Sequence, residues 1–148
     1  MQLELLFKAA TLTVLPFWLL LIVAPRWRWT QRLVHGPVVV LLLTPIYGYM
    51  LFGYAPAPRE MSFLSLYGVM IGFSAPHLVV AGWVHYLIFD LFVGAWESRD
   101  AVRRGVPHWL AVPCLLGTLM FGPIGLLLYI TARFFSVGVL EYEETGDL

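Results

Sequence analysis

Four stretches of this sequence are apolar for about the ~20 residues needed to cross a bilayer, and little chain is left between them. They run over residues 3–24, 33–54, 77–96 and 108–131. Hydrophobic residues make up 60% of the 148 positions and charged residues 12%, about half of what a soluble domain carries. So few charges cannot cover the surface of a soluble domain, and the excess apolar area must face lipid or partner subunits. The fold class expected is therefore an all-α integral membrane protein of about four transmembrane helices, in a single helical domain over 1–148 with no separate soluble domain. The lipid bilayer is its first partner.

The punctuation within the runs refines this reading. Pro16 is expected to bend the first span, and Pro45 the second, where Thr44 stands ready to satisfy freed backbone. Residues 55–60 (Ala-Pro-Ala-Pro-Arg-Glu) are a loop. The apolar chain after Met61 is longer than one span requires and is divided at Pro76, which predicts a short interfacial or re-entrant helix over 61–74 before the third span. Residues 97–107 hold Glu97, Arg99, Asp100, Arg103 and Arg104 and read as a solvated loop that fixes topology. Arg103 and Arg104 beside Gly105 also suit a lipid headgroup. The acidic tail over 141–148 is expected to fray.

Arginine placement sets the expected orientation. Arg26, Arg28, Arg32, Arg99, Arg103 and Arg104 are six of the nine basic residues, and in a four-span chain they share one side. Lys8, Arg59 and Arg133 then lie opposite. The positive-inside rule places the six in the cytoplasm and both termini outside. Trp27, Trp29, Trp96 and Trp109 fall at the same interface, as an aromatic belt would. The first run lacks the basic start of a signal peptide, which predicts a retained helix.

Several function classes are excluded or disfavoured. A formal net charge of zero offers no footprint for nucleic acid. The single Cys114 forbids an intramolecular disulfide, and in an apolar helix it reads as inert packing. There is no phosphate-binding glycine loop, serine elbow or H-x-x-x-H or E-x-x-H spacing, so neither a metal nor another cofactor is expected. Four spans also leave little room for the alternating access of a transporter. Of the four histidines, His35 and His108 share a depth in the four-span arrangement, and a bis-histidine haem would use that pair.

The third span carries the chemistry. Asp90 lies near its middle, where an aspartate costs about 2.5–3.5 kcal/mol on insertion scales, so it should face the bundle, protonated or paired. Gly82, Tyr86, Asp90, Gly94 and Glu97 fall on one helical stripe, and its two glycines invite close helix approach, within the chain or in a homo-oligomer. His85 is five residues from Asp90 and points about 140° away from it. A purely structural Asp90, bonded to a tyrosine or to backbone across helices, is the bland alternative. For His85 the bland alternative is aromatic packing with Trp83 and Tyr86.

The string from Ala81 to Leu87 (Ala-Gly-Trp-Val-His-Tyr-Leu) and that from Phe89 to Gly94 (Phe-Asp-Leu-Phe-Val-Gly) resemble the abscisic-acid-deficient-4-like family. So do Arg103-Arg104-Gly105, Pro107-His108, Pro113-Cys114, the stretch from Phe121 to Leu126, and the early turn Pro25-Arg26-Trp27. The plant family is associated with neoxanthin synthesis, an epoxide-to-allene isomerisation of a carotenoid. The resemblance implies a membrane-embedded protein that modifies a carotenoid or related isoprenoid ligand without a redox cofactor, since substrate and product are isomers. Such a step needs an acid at the epoxide oxygen and a base at a nearby C–H. The catalytic residues it implies are Asp90 and His85, with Tyr86 as a relay; His77, Trp83, Phe89 and His108 are the implied substrate-binding residues. Because no transit peptide is evident, a bacterial inner membrane is the expected location. The rival readings are a non-enzymatic lipophile-binding or scaffold subunit, and a small haem protein.

Overall fold

The computed structural model describes residues 2–140, so the acidic tail read at 141–148 lies outside the described residues. Helix α1 (Gln2–Val23) is followed by a short α2 (Arg28–Leu33) and by α3 (Val38–Gly48). A π-helical turn (Tyr49–Gly53) extends α3. Then come α4 (Leu66–Phe73), α5 (Pro76–Arg104), α6 (His108–Phe121) and α7 (Pro123–Val137). No strand occurs among the described residues.

Three segments are long and apolar enough to cross a membrane: Gln2–Val23, Arg28–Gly53 and Pro76–Arg104. They are the first three expected spans. The second is not one continuous helix. It breaks at Pro37, and its last turn widens to the π form where the Tyr54 N–H reaches the Tyr49 carbonyl at 2.9 Å. Pro45 has no N–H to donate and its ring crowds the preceding turn, which frees the Leu41 carbonyl within α3. The interfacial segment expected over 61–74 is helical only from Leu66, where the Ser65 side chain caps the Gly68 N–H at 3.1 Å.

Two expectations change. Residues 97–104 are not a loop, because α5 continues to Arg104 and ends on Gly105 in the left-handed conformation (φ 74°), a common helix stop. Glu97 and Asp100 are thereby buried rather than solvated. Second, residues 108–131 do not form one span. Gly122 adopts φ 52° and ψ −104°, and Pro123 begins a new helix. Thr118 of α6 meets Glu97, while Tyr129 and Arg133 of α7 meet Asp100. The two helices therefore fold back on each other as a hairpin, each about 21–23 Å long at 1.5 Å per residue. Gly117 and Gly125 make the crossing tight: a Cβ on Gly117 would lie 3.1 Å from Gly125 Cα.

The hairpin also moves Arg133. Its pairing with Asp100 places the end of α7 at the arginine-rich end of α5, not opposite it. Arg133 joins the other six arginines there, and the two ends of the described chain lie at opposite ends of the bundle.

Long α5 is the axis. Trp18 of α1 lies over Gly94, where a Cβ would come within 2.5 Å of its ring, and Phe7 packs against Trp83 with ring centroids 5.2 Å apart. These contacts set α1 parallel to α5. Tyr47 near His85 and Tyr54 on His77 set α3 antiparallel to it. Gly82 receives Phe73 of α4, 2.9 Å from its would-be Cβ. Both glycines of the stripe are thus occupied by this chain's own aromatic side chains. The outer faces of α1, α3, α5 and α7 carry exposed Leu12, Leu19, Leu41, Phe92 and Leu127, as lipid-facing surfaces do. Trp27, Trp29 and Trp109 are exposed at the arginine-rich end, but Trp96 turns inward against Tyr129.

Candidate functional site

Asp90 is the fifteenth of the 29 residues of α5, its midpoint, and it meets the tip of the α6–α7 hairpin. A Cβ on Gly122 would stand a tight 3.2 Å from Asp90 Oδ1, and the φ of 52° there also favours glycine. Asp90 Oδ2 is enclosed and has no hydrogen-bond partner among the described residues. The Tyr86 side chain neighbours the same carboxyl. Its hydroxyl donates to the Leu119 carbonyl at 3.2 Å. That carbonyl would ordinarily receive the N–H of the residue four places on, which is Pro123 and has none. Tyr86 thus supplies the missing donor, and the irregular backbone of the tip is covered by protein rather than lipid.

A second buried carboxyl lies two helical turns along the same face. Glu97 is fully buried; Oε1 accepts from the Thr118 hydroxyl at 2.8 Å, and Oε2 has no partner among the described residues. One turn further, Asp100 accepts from Arg104 Nε at 2.8 Å, Arg133 Nη1 at 3.0 Å and Tyr129 Oη at 2.7 Å. Arg133 also lies over the Trp96 ring at 5.7 Å.

The residues expected at the site fall into three groups. Asp90, Tyr86 and Trp83 share the inner side of α5. Trp83 stacks on Tyr86 at 5.4 Å, and its indole N–H donates to Thr11 Oγ1 at 2.8 Å, tying α1 to this layer. His85 and Phe89 stack at 4.5 Å on a different face. There His85 lines a cleft of about 260 Å³ with Tyr47, Phe63, Phe73 and Gly82. His77 is buried near the start of α5, stacked on Tyr54 at 5.7 Å. His108 is remote from both groups, at the other end of the bundle. Its Nε2–H donates to the Ile22 carbonyl at 2.8 Å, capping the end of α1 beside a cavity of about 530 Å³. His108 is thus a helix tie, and Asp90 and His85 serve separate surfaces.

Sequence reasoning placed Glu97 on the Asp90 stripe yet assigned it to a solvated loop, and it missed Asp100, Tyr129 and Arg133 as a cluster. Two signals were present. Asp90, Glu97 and Asp100 are spaced by seven and three residues, as a helix face requires, and Arg133 interrupts an otherwise apolar run. Among the described residues no three His, Cys, Asp or Glu side chains gather as a metal site would need.

A family model described as ABA DEFICIENT 4-like matches residues 5–129. The chain belongs to the ABA4-like family. It is 27% identical over 135 residues to Protein ABA DEFICIENT 4, chloroplastic, of Arabidopsis thaliana, an alignment covering 86% of this chain and 60% of that protein. The chain thus spans about 60% of the relative's length. No solved structure matches it. The matched region includes all of α5, α6 and the hairpin tip, so the Asp90 layer lies within the stretch that the family model matches.

Proposed function

We propose that this ABA4-like protein binds a carotenoid or related isoprenoid within the membrane and isomerises it by acid–base chemistry at Asp90. The observation that carries the reading is the Asp90 carboxyl at the midpoint of α5, with Oδ2 unpartnered among the described residues and Oδ1 facing Gly122, a residue without a side chain. An epoxide oxygen is a hydrogen-bond acceptor that a protonated carboxyl suits. In the proposed step Asp90 gives its proton to that oxygen as the C–O bond opens. The carboxylate left behind takes a proton from the neighbouring C–H as the new double bond forms. Atoms and electrons balance within the substrate, and Asp90 ends protonated as it began. Tyr86 holds the hairpin tip and orients the carboxyl. On the separate face of α5, His85, Phe89, Tyr47 and Phe73 offer aromatic faces to the far part of a long polyene that reaches round the helix from Asp90, rather than a second proton-transfer group.

The orientation we propose follows the positive-inside rule with the hairpin included. The seven arginines at one end face the cytoplasm, leaving only Lys8 and Arg59 opposite.

The test begins with gentle purification in detergent from a carotenoid-producing host, a visible spectrum, and mass spectrometry of the extracted lipophile. Co-purified carotenoid and its conversion by the wild type but not by Asp90→Asn are the expected results. Undiminished conversion by Asp90→Asn overturns the acid–base reading. A colourless protein carrying only phospholipid, with no conversion, favours a scaffold instead.

A further inference from the structure

The cavity beside His108 has no part in the Asp90 layer. It holds about 530 Å³ between the end of α1, the end of α5 and the start of α6. Ser98, Ala101, Val102 and Gly105 line it from α5, at the spacing of one helix face. Glu97, Asp100 and Arg104 fall on a different stripe of α5, where Asp100 is taken by Arg133 of α7. Among the described residues the lining carries no carboxylate. Its fixed charge is Arg26, which is exposed and forms no ion pair or hydrogen bond among the described residues.

The polar groups of the lining lie at two depths. At the mouth, Arg26 is joined by the start of α6, whose first turn has no side-chain cap. The N–H groups of His108 and Trp109 there find no backbone carbonyl among the described residues. Exposed Trp27 and Trp109 mark the same level, as side chains of a membrane interface do. Ser98 lies seven residues, about 10 Å, further in along α5 than Gly105. It is only 3% exposed, and its hydroxyl has no hydrogen-bond partner among the described residues. A buried hydroxyl without a partner is costly, so one that lines a cavity points to a ligand that completes it.

We propose that this cavity binds the head and glycerol region of an anionic phospholipid. Arg26 and the first turn of α6 hold the phosphate, the cation by charge and the N–H groups by donation. The Ser98 hydroxyl donates to an ester carbonyl deeper in, past the apolar Val102 and Ala111, and the acyl chains continue into the bilayer. A free phosphate ion has no second group to offer and would use the mouth alone. Neither Arg103 nor Arg104, the pair expected to suit a headgroup, lines the cavity. The site shares no residue with the Asp90 layer, so it stands or falls apart from the isomerase reading.

The experiment is native mass spectrometry of the full chain released from detergent and titrated with dioleoyl phosphatidylglycerol. The wild type should hold one such lipid per chain at the lowest concentrations. Arg26→Gln should weaken that binding about tenfold or more, the scale of a charge-assisted hydrogen bond. Ser98→Ala should weaken it about threefold to tenfold, as loss of a neutral bond does. Neither substitution removes a hydrogen bond or ion pair of the protein, so the unfolding midpoint without lipid should match the wild type. Arg28→Gln, at the same end but outside the cavity, should leave the tight lipid in place. Equal losses in Arg26→Gln and Arg28→Gln would show diffuse attraction to the basic end and overturn the proposal. Undiminished binding in Arg26→Gln or Ser98→Ala overturns it as well. Phosphatidylcholine, which has no net charge, should bind more weakly; equal binding overturns the anionic assignment. Displacement of phosphatidylglycerol by inorganic phosphate at a comparable concentration would mean that the ion alone fills the site, and overturns the lipid assignment.

Discussion

The Arg133 guanidinium donates to the Asp100 carboxylate at 3.0 Å, joining α7 to α5 across 33 residues of chain. Both side chains are buried, and the pair is completed by Arg104 and the Tyr129 hydroxyl. Removing one partner of a buried pair costs up to about 3–5 kcal/mol when the other charge is left alone, and the Arg104 and Tyr129 contacts to Asp100 bring this case toward the lower end. Arg133→Ala should therefore lower stability by that order, read from the midpoint of denaturant unfolding in detergent. Arg133→Met combined with Asp100→Leu should recover part of the loss, because neither buried partner then faces the other's absence, while Arg104 and the Tyr129 hydroxyl lose their shared acceptor. Equal stability of the wild type and Arg133→Ala would show that the pair does not hold the hairpin.

The same contact makes a topological prediction. In a Cys114→Ala background, single cysteines at Gln31 and Ser136 should both react with an impermeant thiol reagent from one side of a sealed vesicle, and a cysteine at Ala57 from the other. A fourth complete span would instead expose Ser136 together with Ala57. Side-specific labelling separates the two outcomes directly.

The hairpin crossing depends on a missing side chain. A Cβ on Gly125 would run into the backbone of Thr118 and Gly117, atoms that cannot rotate away. Gly125→Ala should destabilise the protein by about 1–3 kcal/mol, typical of overpacking. It should also disturb the Thr118–Glu97 bond. Thermal unfolding in detergent gives the first effect. A changed carboxyl stretch for Glu97 gives the second.

Asp90 and His85 occupy different faces of α5, and their substitutions should differ in kind. Asp90→Asn removes the proposed acid and should lower conversion by about 10²–10⁴-fold, with carotenoid still bound. His85→Ala removes an aromatic face from the cleft beside Phe89 and Tyr47, so it should weaken pigment retention while the single-turnover rate of bound ligand persists. Retention and single-turnover rate, measured on the same preparations, check both. Matching defects in the two variants would show that the residues share one step.

The apolar run lengths and the scarcity of charge determined the helical membrane character, and three of the four expected spans, because a bilayer admits few alternatives for a backbone that must satisfy its own hydrogen bonds. The midspan position of Asp90 and its direction away from His85 were equally legible, since helical period fixes which residues share a face. Hydropathy was blind to the reversal at Gly122: it counts apolar residues, and a folded-back hairpin of two half-length helices has the same composition as one long span. Only the tertiary structure decided that Pro123 starts a returning helix, because its tip is stable only when Tyr86 satisfies the Leu119 carbonyl and α5 covers the turn. That reversal carried Arg133 to Asp100 and made residues 97–104 a helix end with Glu97 and Asp100 buried, where charge density alone had indicated a loop. Burial of a charged residue depends on what packs against it. Here the covering helix begins nineteen residues beyond Arg104.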